Sequence, residues 1–234
     1  MVGLLRFKKQ KTSRIDKNKL ITDARYVVID TELTGLNEKR DSIVSIGVIR
    51  MVGGKIDLSD TFYQLVKPEA AFTAESVVIH EITPSEVQEK PDILAVLSEF
   101  LQFCGSDIVV GHCVSIDLSF LHREMRKFFG YSLQNPVLDT FSLYNWLRTR
   151  ASHHRCFSIS PRSCGLYDVA ECLGIPVQGA HNAIEDAFIT AQLFQRLIPV
   201  LIESGIKNIG DLLSVGNPSE WLDRVTSSGE ISNL

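Results

Sequence analysis

The chain has 234 residues, of which 44% are apolar, so it is long enough to bury one sizeable hydrophobic core. A net charge of −4 excludes a bulk positive field, so a polyanionic partner would have to be held by a local basic patch or by metal ions. No stretch approaches the ~20 apolar residues of a membrane span, and no signal-peptide core occurs, so we expect a cytoplasmic protein with no membrane partner. The cysteines show no CxxC spacing, so we expect them to be reduced thiols.

The chain begins with a basic leader over residues 1–23, in which seven positive charges accompany two acids. Two interpretations are open: an arm that contacts nucleic acid or an acidic partner, and a solvated leader or surface helix, which is favoured. The main domain is predicted over 24–204, followed over 205–234 by a short helical extension with a polar tail. The basic residues of the leader are Arg6, Lys8, Lys9, Lys11, Arg14, Lys17 and Lys19.

Strand and helix patterns follow the leader in chain order. Strands are predicted over 25–32, 43–52, 56–66, 107–111 and 137–139, the third after a Gly53-Gly54 hairpin turn. Helical periodicity is found over 92–104, 116–129, 140–150, 164–173 and 183–203. Three consecutive strands and then strand–helix alternation predict an α/β fold, a mixed five-stranded sheet flanked by helices.

Two carboxylates, Asp30 and Glu32, lie two residues apart at the end of the first predicted strand. Because side chains alternate along a strand, both project from one face. Burying two like charges together is costly unless cations neutralise them, and oxygen donors suit Mg²⁺ or Mn²⁺. The alternative is a solvated strand end with two surface acids, so the interpretation depends on further carboxylates.

Further acids occur at two predicted helix starts. Asp117 falls in the first turn of a helix for which Ser115 is the predicted N-cap, and the helix dipole alone would also explain an acid there. Asn182 is the predicted cap of the 183–203 helix, which places Asp186 in its first turns and His181 on the preceding loop. Together the four carboxylates can hold two divalent ions, and a neutral histidine can accept a proton from an attacking water.

The segments DTELTGL, GHCVSIDLSFL and HNAIEDA, in this order, resemble the three exonuclease motifs of the DEDDh family, over roughly residues 25–200. That family includes the proofreading epsilon subunit of bacterial DNA polymerase III, ribonuclease T and oligoribonuclease. The resemblance implies a ribonuclease-H-like fold and 3′→5′ release of nucleoside 5′-monophosphates with two metal ions, Mg²⁺ or Mn²⁺. The main domain over 24–204 would then be the exonuclease domain.

By the same resemblance, roles pass to individual residues. Asp30, Glu32, Asp117 and Asp186 would be the metal ligands and His181 the general base. Thr34, Gly35 and Leu36 would contact the terminal nucleotide, and His80, in a segment similar to the family's IHGIT sequence, would line the pocket for the 3′ end. Asp139 resembles a recurring family position but is interpreted as structural. The chain departs from the family at three positions, Cys113, Ile116 and Glu81, which puts nucleotide preference in doubt rather than activity.

The function that the resemblance implies is metal-dependent hydrolysis of single-stranded DNA from a free 3′ end, by an enzyme that is free-standing or serves a polymerase. Two alternatives remain open: an exoribonuclease acting on RNA ends, distinguished by how the site treats the 2′-OH, and a silent module that only binds 3′ ends. A basic loop over 148–163 could contact the nucleic-acid backbone or carry incidental charge. Its arginines are Arg148, Arg150, Arg155 and Arg162.

Overall fold

The structure is a computed structural model that describes residues 15–151, 154, 157, 161–177 and 181–218. The strands are β1 (Arg25–Leu33), β2 (Ile43–Val52), β3 (Lys55–Leu65), β4 (Ile108–Gly111) and β5 (Val137–Asp139). The helices are α1 (Ala74–His80), α2 (Pro84–Val87), α3 (Ile93–Cys104), α4 (Ser115–Phe129), α5 (Thr140–Arg150), α6 (Leu166–Cys172), α7 (Ala183–Glu203) and α8 (Ile209–Val215). Within the described residues, none of these helices is both long and apolar enough to cross a membrane.

The five strands form one mixed sheet in the order β3-β2-β1-β4-β5. β1, β2 and β3 pair as an antiparallel meander, whereas β4 pairs parallel with both β1 and β5. The predicted α/β class and mixed five-stranded sheet are therefore confirmed. Helices α1 and α2 were not predicted, because each is too short to develop a helical repeat of apolar residues.

Strand β1 lies at the centre of the sheet and connects the two halves of the core. Tyr26 and Val28 project toward the side of α7, where the Tyr26 ring meets the edge of Phe194 at 5.0 Å between centroids. Val27 and Ile29 project to the opposite side, among residues of α3 and α4. The alternation that sorts these side chains continues into the polar end of the strand, so Asp30 and Glu32 project toward α7.

Gly47 of β2 lets the first turn of α7 approach the sheet. It pairs with Asp30 across the β1–β2 ladder. A Cβ atom at Gly47 would lie 2.3 Å from the carbonyl carbon and oxygen of Ala183 and 2.4 Å from the amide nitrogen of Ile184. The missing side chain at Gly47 is therefore what brings the start of α7 against the strand that carries Asp30.

The described ends of the chain pack against each other. The amide of Ile21 donates to the carbonyl of Lys207, and the amide of Ile209 donates to the carbonyl of Lys19. Ile21 is fully buried in the part of the core on the α7 side of the sheet, and Leu20 forms an isolated antiparallel β-bridge with Asn208. The last residues of the predicted leader thus contact the start of the predicted extension. Residues 1–14 and 219–234, which hold the rest of both predictions, lie outside the described residues.

Candidate active site

The end of β1 and the start of α7 bring three carboxylates together. Asp30, Glu32 and Asp186 each offer one oxygen, and these atoms all lie within 4.8 Å of one another. Glu32 and Asp186 are buried, and Asp30 is partly open. Asn182 caps α7 by accepting from the amide of Ile184 at 3.2 Å, which sets Asp186 in the first turn as the sequence predicted.

Asp117 approaches the same acids from the other side of β1. It is buried in the first turn of α4, and its Oδ1 accepts a hydrogen bond from the Thr31 hydroxyl at 2.6 Å. Thr31 projects from the face of β1 opposite to that of Asp30 and Glu32. Its hydrogen bond therefore attaches α4 to β1 at the residue between these two acids. The predicted N-cap Ser115 is wrong by one residue: Ser115 is the first helical residue, and Val114 precedes the helix without a side-chain cap.

Burial and mutual repulsion keep the carboxyl groups weakly acidic. Loss of water raises the pKa of Glu32 to about 8, and the neighbouring charges of Asp186 and Asp117 add to this. Burial likewise raises the pKa of Asp117 to about 7. The pKa of Asp30 is raised well above its usual value, by burial first and then by the three other acids, and burial also raises the pKa of Asp186.

No lysine or arginine among the described residues forms an ion pair with these four acids. In the part of the chain that the structure describes, the lysines and arginines that form ion pairs do so with other acids. Buried carboxylates without a cation are unfavourable, and hard divalent ions prefer clustered carboxylate oxygens. The donor set therefore fits Mg²⁺ or Mn²⁺ better than it fits a structural ion-pair network.

His181 stands at the edge of this cluster, held by a tyrosine that the sequence did not point to. The amide of His181 donates to the hydroxyl of Tyr167 at 2.7 Å, and this hydroxyl donates to the carboxylate of Asp186, with oxygens at 2.7 and 2.8 Å. The Tyr167 and His181 rings meet edge to face at 5.0 Å. Burial raises the pKa of the Tyr167 hydroxyl, so it keeps its proton near neutral pH.

A cleft of about 710 Å³ opens above the acids. Of the residues predicted to contact the terminal nucleotide, Gly35, Leu36 and His80 line it, and Leu36 is 56% exposed. Thr34 is fully buried instead, with its hydroxyl accepting from the amide of Ser42 at 3.0 Å. The structure therefore brings three of the acids, His181 and three of these four residues to the lining of one cleft, and the fourth acid, Asp186, clusters with Asp30 and Glu32.

His80 is the last residue of α1 and is buried at the cleft, whereas its neighbour Ile79 is exposed there. Its Nδ1 accepts from the amide of Ile82 at 3.0 Å, and its ring meets Phe72 edge to face. Burial lowers the pKa of His80, which favours the neutral imidazole. His80 thus presents a fixed, uncharged ring to the cleft.

Two further polar residues have structural contacts beside the site. Asp139 accepts from the amide and hydroxyl of Ser142 and caps α5, in keeping with its interpretation as structural. His112 contacts the Thr140 hydroxyl at 2.8 Å and the Cys164 carbonyl at 2.7 Å. His112 belongs to the segment after β4, which Asp139 contacts by accepting from the amide of Val114 at 3.4 Å, and no periodic pattern in the sequence predicts the His112 contacts.

The predicted basic loop is only partly described. Arg148 and Arg150 belong to α5, where Arg150 lies 4.5 Å from the centroid of the Trp146 ring. Arg162 forms ion pairs with Asp168 at 3.0 Å and Glu171 at 2.9 Å. Arg155 lies outside the described residues. Contact of this segment with a nucleic-acid backbone stays a prediction.

Comparison with known proteins gives a consistent result along the chain. Residues 27–194 match the family model RNase_T, described as Exonuclease. The PolC-type DNA polymerase III of Thermotoga maritima is 33% identical over 190 residues, which are 81% of this chain but 13% of that protein. The DNA polymerase III epsilon subunit of Aquifex aeolicus is 31% identical over 198 residues, covering 83% of this chain and 90% of that subunit.

Solved structures share the fold. Exonuclease X in complex with 5′-overhanging duplex DNA superimposes with a TM-score of 0.59 at 24% identity, covering 82% of this chain and 99% of that one. E. coli Exonuclease I in complex with a dT13 oligonucleotide gives a TM-score of 0.66 at 17% identity, covering 77% and 42%. At such identities the likeness concerns the fold, and it confirms the ribonuclease-H-like arrangement that the three motifs imply.

Proposed function

The chain belongs to the exonuclease family that the RNase_T model describes, and from this premise we propose that it is a metal-dependent 3′→5′ exonuclease of the DEDDh type. Its substrate is the free 3′ end of single-stranded DNA, and its products are nucleoside 5′-monophosphates. The observation that carries this proposal is the cluster of carboxylates with raised pKa values, with which no lysine or arginine among the described residues forms an ion pair.

The proposal gives each acid a binding role. Asp30, Glu32 and Asp186 would hold one ion through their clustered oxygens, and Asp117 would join them in holding a second. Divalent ions at such a site supply positive charge to the phosphodiester and make a bound water more acidic. Their binding would also offset the burial and the repulsion by neighbouring acids that together raise the pKa of Glu32.

His181 would accept the proton of the attacking water. Its ring is exposed and lines the cleft, while its backbone is fixed by the bond to Tyr167. A neutral imidazole near pH 7 is suited to this transfer. This role requires an accessible ring beside the metal ligands. Tyr167 keeps His181 near one proposed ligand, Asp186, which lies five residues further along the chain, because its hydroxyl bonds to both residues.

The residues at the rim of the cleft support the proposal that the substrate is the end of a DNA strand. Leu36 and Ile79 are exposed by 56% and 49%, and both line the cleft above the acids. Apolar side chains of this kind can pack against the flat faces of unpaired bases. His80 offers a neutral ring deeper in the same cleft, where it would contact the terminal nucleotide.

A polymerase partner is part of the proposal. The epsilon subunit of Aquifex aeolicus is covered over nearly its whole length, and the PolC-type relative carries a similar segment within a much longer chain. Both relatives are named for DNA polymerase III, which supports a role in proofreading. The catalytic unit in this proposal is the predicted domain over 24–204, with the described ends of the chain packed onto it.

The test uses the full chain on a 5′-labelled single-stranded DNA oligonucleotide, with an RNA of the same sequence in parallel. Reactions contain Mg²⁺, Mn²⁺ or EDTA, and products are identified as nucleoside 5′-monophosphates by chromatography. Asp30→Asn is the inactive variant. Asp57→Asn is the matched control, because Asp57 is an exposed acid of β3 outside the cleft.

Stepwise shortening of the DNA from its 3′ end, abolished by EDTA and by Asp30→Asn but not by Asp57→Asn, supports the proposal. Faster degradation of the RNA would identify RNA rather than DNA as the substrate, with the same mechanism. Binding of 3′ ends without release of mononucleotides under any metal would refute the enzymatic function in favour of the silent binding module.

A further inference from the structure

The hydroxyl oxygen of Tyr167 lies within hydrogen-bond distance of four polar atoms at the edge of the proposed active site. Its hydroxyl accepts the amide hydrogen of His181 at 2.7 Å and donates to the carboxylate of Asp186, whose two oxygens lie at 2.7 and 2.8 Å. The Nδ1 atom of His181 lies at 3.4 Å from the same oxygen. One side chain therefore connects the proposed base and a proposed metal ligand.

The position of this hydroxyl is set by the core. Tyr167 is the second residue of α6, and this helix buries Val169 and Ala170 completely among residues that also pack against α7. The Tyr167 ring is further held by its edge-to-face contact with the His181 ring at 88° between planes. The helix that carries this hydroxyl is thus anchored in the core, in addition to the contact that its Tyr167 ring makes with His181.

That loop needs such support. His181 has a φ of 67°, in the left-handed region that residues other than glycine seldom adopt. Its side chain is exposed, so packing does little to hold the residue in this conformation. The hydrogen bond from its amide to Tyr167 ties its backbone to α6 instead. The bond thereby connects the His181 backbone to Asp186, because the same hydroxyl donates to that carboxylate.

We propose that Tyr167 is a positioning residue, whose hydroxyl sets the His181 backbone and the Asp186 carboxylate in one fixed relation. The inference rests on the proposed exonuclease function and adds to it a residue that the sequence motifs do not contain. A tyrosine has a single hydroxyl proton, so it satisfies one Asp186 oxygen at a time and leaves the other free for a cation. Hydrogen bonds of this kind orient a ligand and tune its affinity.

The experiment is the Tyr167→Phe variant of the full chain, which keeps the ring against His181 and removes only the hydroxyl. Tyr131→Phe is the matched control, because Tyr131 stacks on Phe129 and does not line the cleft. Three quantities are measured: Mn²⁺ affinity by EPR titration, kcat and KM on single-stranded DNA, and the exchange rate of the His181 amide by NMR without metal.

We expect Tyr167→Phe to weaken Mn²⁺ binding or lower kcat by about 10–100-fold, the usual effect of removing a group that supports a metal ligand. KM should change little, because Tyr167 lies below the rim residues, and the His181 amide should exchange faster. Wild-type values for all three quantities would overturn the inference. If the variant does not fold, a rapidly exchanging His181 amide in the folded wild type overturns it, and a protected one supports it.

The two proposals fail in different ways. A wild-type protein without metal-dependent nuclease activity refutes the proposed function, whatever the variant does. An active wild type with an equally active Tyr167→Phe variant, unchanged in Mn²⁺ affinity and in His181 amide exchange, refutes the role of Tyr167 alone.

Discussion

Replacing Gly47 with alanine is expected to displace the start of α7 while leaving every proposed catalytic side chain present. The new Cβ would lie 2.3 Å from the Ala183 carbonyl group, and ordinary contact starts at 3.4 Å, so the start of α7 must recede by about 1.1 Å. Backbone atoms cannot rotate away as a side chain can. Because Gly47 pairs with Asp30, this shift separates Asp186 from Asp30 directly.

An error of about 1 Å in the placement of reacting groups can lower a rate by roughly 10²-fold. We therefore expect Gly47→Ala to lose about that factor in kcat, with a destabilisation of about 1–3 kcal/mol from overpacking. The assay is Mg²⁺-dependent shortening of 5′-labelled DNA at a temperature where circular dichroism shows the variant folded. Urea unfolding measures the change in stability.

Gly54→Ala provides the control, since a Cβ there meets nothing within 4 Å and the substitution is otherwise identical. We expect it to keep the wild-type rate. A folded Gly47→Ala variant with wild-type kcat would refute the argument that close approach of α7 to β2 sets the distance between the acids.

Three further predictions concern the acids and the histidine. His181→Ala should lower kcat by about 10²–10⁴-fold while sparing Mn²⁺ binding; a wild-type rate and pH profile would exclude His181 as the base. Asp186→Asn should abolish both turnover and tight Mn²⁺ binding in a calorimetric titration, whereas its exposed neighbour Glu185, changed to Gln, should affect neither. Finally, folding raises the pKa of Glu32 from 4.5 to about 8 and that of Asp117 from 3.8 to about 7, so the folded state binds more protons. The free energy of unfolding in EDTA should therefore fall as pH rises from about 4.5 to 8. The Glu32→Gln substitution, and Mn²⁺ in place of EDTA, should each reduce this fall. Urea unfolding that shows an equal fall for the wild type in EDTA, the variant in EDTA and the wild type in Mn²⁺ would contradict the raised pKa of Glu32 as its cause.

The sequence predicted what depends on local periodicity and on motif order. β1, β2 and β5 and helices α5 and α7 lie where alternation or helical spacing put them, to within one residue at each end. The acids could be grouped from the sequence alone, because strand ends and helix starts restrict where a side chain can point. The family resemblance then supplied the expectation that three separate segments meet.

What the sequence left open depends on long-range contacts. Tyr167 occupies an ordinary helical position 14 residues before His181, and only tertiary packing shows that its hydroxyl reaches that loop. The role of Gly47 has the same origin, because a glycine within a strand does not reveal which backbone approaches it. Thr34 shows the converse: a motif residue whose side chain packs inward, against Ser42.

The cleft contains residues on β1 and residues beyond its end, and these two groups differ in how easily they can be substituted. Asp30 and Glu32 project from the central strand of the sheet, so their positions are inherited from the same packing that holds the fold together. Leu36 lies three residues beyond the end of that strand and is largely solvent-exposed. Substitution at Leu36 therefore costs little stability. If the proposed function holds, we expect new nucleotide preferences to be selected or engineered at this rim while the proposed hydrolytic centre beneath it stays unchanged.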